Sequence, residues 1–176
     1  MRRAVARHYR SLWGRPGRKL NFGGHGVRVQ VHHWRAADTD EGVELYATVG
    51  ASAARMAGRH RVEFILGLTS EVDVAESLAG LGSFPALAGE IDKGDTVTLG
   101  GPLWPGSDFR AYLIIPEVDD YLPPLVSRRA HVQFLRAMPI FESEIDLKKE
   151  HGAGWVMEEL DQRGMRIGDA NRRPLS

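Results

Sequence analysis

Residues 131–152 constrain the fold more than any other part of the chain. They read HVQFLRAMPIFESEIDLKKEHG. Within residues 132–137, both alternating sets of positions contain apolar side chains, which is typical of a strand covered on both faces. Pro139 lacks the N–H that a strand ladder uses, so we expect the strand to end at or near it. The pattern therefore predicts a buried strand that turns into a helix.

The predicted helix has charges that match its dipole. Acidic residues stand at its start and basic residues at its end, namely Glu142, Glu144 and Asp146, then Lys148, Lys149 and His151. Negative charge near a helix N-terminus and positive charge near its C-terminus are both favourable. Glu144 and Lys148 are spaced for an i,i+4 pair, and Gly152 is a suitable residue to end the helix. No histidine stands at ligand spacing from the acids, so we expect no metal there.

Composition indicates one ordinary domain. The chain has 176 residues, of which 43% are hydrophobic and 26% charged, and it lacks cysteine. Disulfides, zinc thiolates and cysteine catalysis are therefore excluded. No apolar run reaches the ~20 residues of a membrane span, and no apolar segment follows the first residues as in a secretory signal. We expect a soluble, cytoplasmic protein.

Charge is unevenly distributed along the sequence. Residues 1–37 contain nine Arg or Lys and no acid, so the remainder carries a net −9 in a chain of zero net charge. The basic segment could contact an acidic partner or nucleic acid, and the latter predicts affinity that falls steeply with salt. Its charges lack the dense clustering of a nucleic-acid tail. We therefore favour internal packing of a basic edge beside an acidic body, and expect no nucleic-acid partner.

The remaining patterns predict an α/β domain. Residues 27–31 and 43–50 indicate an antiparallel hairpin, and 61–69 a central buried strand. Further strands are expected near 94–101 and at 109–115, with helices at 3–13, 70–79 and 155–163. Ser70 and Asp73 suggest a capping box for the second helix, which Gly80, Gly82 and Pro85 should break. We divide the chain into a basic helix and turn packed on the domain (1–20), the main domain (21–164) and a polar, loosely held tail (165–176).

The loop of residues 50–56 offers an alternative, catalytic interpretation. Its small residues allow close backbone approach to a neighbouring element or a ligand. A small-ligand site or hydrolase-like enzyme here would use Ser52, His33 and Glu63, which must lie within hydrogen-bond reach of one another. His32 and His33 point to opposite faces of a strand and cannot share a metal. No residue set stands out as catalytic, and we expect neither metal nor cofactor.

Four segments resemble the Suppressor of fused (SUFU) domain family. They are VHHWR (31–35), TVGASAARM (48–56), HRVEFILGLT (60–69) and FLRAMPIFESEIDLKKEHG (134–152). Ala51 stands where the family usually has Met, and residues 94–101 keep only part of the family pattern. The residues that carry the family motif are Gly50, Ser52, Met56, Pro139, Glu144, Glu150, His151 and Gly152.

The resemblance implies a fold and a mode of action. It implies a single α/β (α+β) domain with a mixed, largely antiparallel central sheet flanked by helices. It also implies a non-catalytic protein that binds another protein. Bacterial relatives resemble immunity proteins that neutralise toxins, and we expect a bacterial member of this kind. Charge complementarity with a basic toxin would place Glu117, Asp119 and Asp120 at the binding face. The sequence leaves the oligomeric state open.

Overall fold

A computed structural model of the chain describes residues 1–24, 26–54, 60–116, 121–127 and 130–175. Eight strands in these ranges form one sheet: β1 (Arg18–Gly24), β2 (Val27–Trp34), β3 (Glu44–Val49), β4 (His60–Leu68), β5 (Thr96–Thr98), β6 (Phe109–Pro116), β7 (Leu125–Ser127) and β8 (Ala130–Phe141). The helices are α1 (Arg2–Trp13), α2 (Ala75–Leu87), α3 (Glu142–His151) and α4 (Ala153–Gln162). Single 3₁₀ turns lie at Ala36–Asp38 and Ala51–Ala53.

The sheet is mixed and largely antiparallel, as the family resemblance predicted. Its strand order is β1-β2-β3-β4-β8-β6-β5, with β7 also paired to β8. β4 and β8 are parallel, and the other pairs are antiparallel. The strand predicted from residues 132–137 thus lies at the centre, and the strand predicted at 61–69 is its neighbour.

Helices cover both faces of the sheet. α2 packs on one face, over a core that includes Val31, Phe64 and Ile114. On the other face, Val5 and Tyr9 of α1 pack against β2–β4 and β8. Further along that second face, α4 covers the ends of β6 and β8. Because both faces are covered, β8 contributes alternate side chains to opposite cores, which confirms the prediction for residues 132–137.

The strand ends near Pro139, as predicted, but two residues after it. β8 continues to Phe141, and Pro139 is the register partner of Tyr112 in β6. The parallel ladder to β4 stops at Arg136, so no β4 residue needs an N–H from position 139. The Pro139 carbonyl instead accepts a hydrogen bond from Arg172 at 3.0 Å. Proline is tolerated here because its missing donor lies beyond the paired part of that edge.

The second helix also differs from its prediction. α2 starts at Ala75 without a side-chain cap, so the Ser70–Asp73 capping box is wrong, and it passes through Gly80, Gly82 and Pro85 instead of breaking there. A Cβ on Gly82 would lie 3.0 Å from Val29 and 3.1 Å from Thr48. The glycine therefore lets the helix approach the sheet closely, and packing outweighs its low helix propensity.

The end of the chain is packed, so the prediction of a loosely held tail is wrong. Arg172 is 7% exposed and Leu175 is 3% exposed. Leu175 packs beside Val156 and Leu160 of α4, and the Gly168 carbonyl accepts a hydrogen bond from the Thr69 N–H at 2.8 Å. The domain boundaries proposed at residues 20 and 164 stay predictions.

Candidate functional site

Glu63 is the centre of the loop that begins at Gly50. Its side chain is fully buried in β4. Ser52 Oγ donates to it at 2.6 Å and Thr48 Oγ1 at 2.7 Å. The backbone N–H groups of Gly50, Ala51 and Ser52 also donate, at 2.9 to 3.3 Å. One carboxylate therefore accepts the hydrogen bonds donated by the turn that follows β3.

The electrostatics of Glu63 reflect two opposed effects. Burial raises the pKa of Glu63 above its ordinary value, while the hydrogen bonds from Ser52, Gly50 and Thr48 act to lower it. Backbone N–H groups can only donate, so both carboxylate oxygens act as acceptors in this arrangement. Gly50 has φ 133°, and a Cβ there would lie 2.6 Å from the Arg28 carbonyl oxygen. Only glycine adopts this conformation at such a close approach.

The three residues of the catalytic alternative do not come together. Ser52 and Glu63 are hydrogen-bonded, as that interpretation required, but both are fully buried. His33 lies elsewhere: its Nε2 is 2.6 Å from Glu44 Oε2, and its ring stacks on Tyr46 with centroids 4.4 Å apart. Ser52 therefore has no histidine base in this arrangement, and its hydroxyl holds the loop.

A second buried carboxylate, Glu144, joins α3 to the C-terminal segment. Arg172 donates to its two oxygens at 2.5 and 2.7 Å. The Leu175 N–H and the Phe141 N–H each donate at 3.0 Å. The expected i,i+4 pair with Lys148 is thus replaced by a long-range ion pair. An ionised acceptor with charged and neutral donors makes strong hydrogen bonds in a buried site.

Of the other motif residues, three lie at the end of α3 and one lies outside the described residues. Gly152 has φ 92° and ends α3, as predicted. Glu150 and His151 are exposed, with His151 Nε2 3.7 Å from Glu150 Oε1. The His151 ring packs near Trp155, with centroids 4.3 Å apart. Met56, and the predicted binding residues Glu117, Asp119 and Asp120, lie outside the described residues.

Sequence reasoning missed Arg172 and Thr48. Arg172 stood in a polar segment with no pattern to distinguish it from its neighbour Arg173. Thr48 donates to Glu63 and accepts from the Phe64 N–H at 2.8 Å, yet it reads as an ordinary strand residue. A buried acid such as Glu63 inside an apolar strand was the available signal, because burial requires such a group to find donors.

The described ranges were searched for two features, a cluster of side chains that could hold a metal ion and a helix that could cross a membrane. Across these ranges, histidine, aspartate and glutamate nowhere gather in a group of three that could hold a metal ion. Within the same ranges, the helices are too short or too polar to cross a membrane.

The fold and its buried carboxylates define a class of protein, an α/β domain whose sheet carries helices on both faces and whose loops are held by internal acids. A sequence model of the Suppressor of fused protein (SUFU) family matches residues 26–173. The chain therefore belongs to the SUFU family, which confirms the resemblance seen in the four sequence segments. None of the curated protein sequences matches the chain.

Solved structures share the fold. A SUFU homologue from Neisseria gonorrhoeae FA 1090 is similar with a TM-score of 0.76 at 22% identity, covering 98% of this chain and 95% of that one. The Sufu–Fu complex contains a chain with a TM-score of 0.68 at 14% identity, covering 97% and 90%. Drosophila Suppressor of Fused has a TM-score of 0.68 at 13% identity, covering 97% of this chain and 50% of that one. At these sequence identities, the similarity shows a shared fold alone.

Proposed function

We propose that this chain is a non-catalytic, cytoplasmic protein-binding module that neutralises a partner protein such as a toxin, in the manner of an immunity protein. The observation that carries the proposal is the full burial of Ser52 and Glu63. The polar groups of the family motif that could do chemistry are used inside the fold to hold a loop. We therefore assign the function of the molecule to its surface.

Family membership supports a protein partner. Among the similar structures, one is a complex of Sufu with Fu. A domain of the same fold thus takes part in a protein complex, and we extend that mode of action to this chain. Fold alone does not fix function, so the partner must be identified directly.

The test is recovery of the partner. The full chain, tagged at one end, is isolated from its native lysate, and co-purifying proteins are identified by mass spectrometry and quantified. We expect one protein in stoichiometric amount. Recovery of the chain alone, together with turnover of a small molecule that is lost in Ser52→Ala, would overturn the proposal in favour of the catalytic alternative.

We keep the acidic positions 117, 119 and 120 as a proposed contact for a basic toxin. Reversing all three (Glu117→Lys, Asp119→Lys and Asp120→Lys) should weaken binding of the recovered partner at least tenfold, because opposite charges speed association and like charges oppose it. The matched control reverses three exposed acids elsewhere, Asp40, Glu41 and Asp161. Equal effects of the two triple variants would remove these positions from the interface.

A further inference from the structure

A hollow opens on the second face of the sheet, between the apolar residues packed under α1 and those packed under α4. Its volume is about 440 Å³, within the ~300–1,000 Å³ that ligand pockets usually have. Leu45 and Ile65 in its lining belong to the cluster under α1, whereas Ile167 packs against the cluster under α4. We call it the central hollow and define it by Leu45, Ile65, Gly67, Arg136, Arg166 and Ile167.

The central hollow exists because β4 has no side chain at position 67. Residues of a strand alternate between its two faces, so Gly67 lies on the same face as Ile65, and its register partner in β3 is Leu45. A Cβ at Gly67 would have Val43 Cγ2 as its nearest neighbour, at 3.6 Å. That distance is an ordinary contact, so crowding does not require glycine here. The missing side chain leaves space above a buried apolar floor.

One wall of the central hollow, residues 166–168, is fixed against the end of β4. The Thr69 N–H donates to the Gly168 carbonyl at 2.8 Å, and a Cβ at Gly168 would lie 2.5 Å from the Gly67 carbonyl oxygen. Only glycine permits so close an approach of two backbone segments. Because these contacts lie within the fold itself, the hollow is formed before any ligand arrives.

The lining combines an aliphatic floor with positive charge. Leu45 and Ile65 are 2% and 1% exposed. Arg136 is the register partner of Ile65 in the central strand β8, so a half-buried arginine stands beside this floor. Arg166 adds a second guanidinium at the exposed rim, and the lining contains one carboxylate, that of Glu41. Two cations and one anion give the hollow a net positive charge.

The position of Arg136 beside apolar residues favours an anionic ligand. Arg136 also interacts elsewhere in the chain, but a guanidinium has five N–H donors and can serve more than one acceptor. Its planar fork matches the two oxygens of a carboxylate, and such charge-assisted bonds are stronger than neutral ones. An aliphatic floor next to this fork therefore suits a molecule with an apolar body and a carboxylate end.

We propose that the central hollow binds an amphipathic carboxylic acid, with its alkyl body over Gly67 and its carboxylate towards Arg136 and Arg166. This site is separate from the proposed function and holds whether or not a partner protein is recovered. It is also separate from the catalytic alternative, because its lining includes neither Ser52 nor Glu63. The competing explanation is a packing gap that stays empty or holds only water.

The experiment measures binding of butanoate, hexanoate and octanoate to the full chain by calorimetry, with octanol and octylammonium as uncharged and cationic comparators. Backbone NMR signals of Gly67 and Gly168 report where the ligand lies. Gly67→Val fills the hollow, and its matched control is Gly24→Val in the edge strand β1, where an added Cβ meets nothing within 4 Å. Arg166→Gln removes the rim charge, and Arg173→Gln removes an exposed charge outside the lining.

We expect affinity to rise roughly fourfold with each added methylene, as the burial of one CH₂ group predicts. Octanoate should bind about fivefold more tightly than octanol or octylammonium, because the carboxylate alone gains charge-assisted bonds. Gly67→Val should weaken octanoate binding about tenfold, since valine occupies the space of the alkyl body, and Gly24→Val should leave it unchanged. Arg166→Gln should weaken octanoate about threefold, the size of an exposed ion pair, without affecting octanol, and Arg173→Gln should affect neither.

Three results would each overturn the site: equal binding of the three head groups, unmoved signals at Gly67 and Gly168, or unchanged affinity in folded Gly67→Val. Absence of octanoate binding below its micellar concentration would assign the hollow to a packing gap. Thermal unfolding shows whether Gly67→Val folds. If it does not, Gly67→Ala, which adds a single methyl group, replaces it, and a loss of octanoate affinity relative to Gly24→Ala is then the result that supports the site.

Discussion

Arg172 and Glu144 form a buried, bidentate ion pair across 28 residues of sequence. The guanidinium also lies over the rings of Phe109 and Phe141, 5.1 and 4.9 Å from their centroids. Through this one side chain, the C-terminal segment is tied to the start of α3 and to the end of β8. The contact makes the segment after α4 part of the domain.

Replacing Arg172 with leucine should destabilise the protein by about 3–5 kcal/mol, because it leaves the Glu144 carboxylate buried without its cation. The measurement is the free energy of unfolding in urea. Arg173→Leu is the matched control, since the Arg173 side chain is exposed, and it should change stability by less than ~0.5 kcal/mol. Similar losses in the two variants would mean that the pair contributes nothing specific.

Glu63→Gln should destabilise the protein by about 1–3 kcal/mol, because the amide nitrogen of glutamine would face donors and leave at least one unsatisfied. Faster amide exchange at residues 50–52 should accompany the loss, since those N–H groups bond to Glu63. The comparison is Glu71→Gln. This change removes an exposed pair with Arg18, which is worth at most ~1 kcal/mol. Unchanged exchange at residues 50–52 would contradict the role given to Glu63.

Two glycines of α2 should respond oppositely to alanine. Gly82→Ala places a methyl group 3.0 Å from Val29 and 3.1 Å from Thr48, and overpacking of this kind costs about 1–3 kcal/mol. Gly80→Ala meets only the Leu99 side chain, at 3.4 Å, and should gain up to ~1 kcal/mol from higher helix propensity. Thermal unfolding of both variants tests this, and a stabilising Gly82→Ala would show that the helix does not approach the sheet so closely.

His32 should make the protein less stable as the pH falls. Its pKa is lowered from 6.5 to about 4 in the folded state, so the unfolded chain binds a proton first. The resulting decrease in the free energy of unfolding is absent above pH 6.5, grows as the pH falls towards 4, and reaches ~3 kcal/mol. The unfolding free energies of the wild type and His32→Gln should therefore converge or cross between pH 7 and 4.5. Parallel pH profiles would contradict the assignment.

Elements with strong periodicity could be predicted from sequence because their cause is local. The alternation in β8, the charge order of α3 and its end at Gly152 all follow from preferences within a few neighbouring residues. The family motif was visible for the same reason, as short segments in order. Predictions that depended on a neighbour's position failed, including the loosely held tail at 165–176 and the break of α2 at its glycines.

The sequence by itself thus determined the helices, the strands other than β1 and β7, the α/β class and the family. Only the tertiary structure decided which polar residues meet. Glu144 bonds to Arg172 and not to Lys148, His33 pairs with Glu44 and not with Ser52, and eight of the nine basic residues before Asp38 are exposed. The reason is physical: periodicity reports which face of an element is buried, whereas the partner of a buried charge is set by residues that only chain folding brings within a few ångströms.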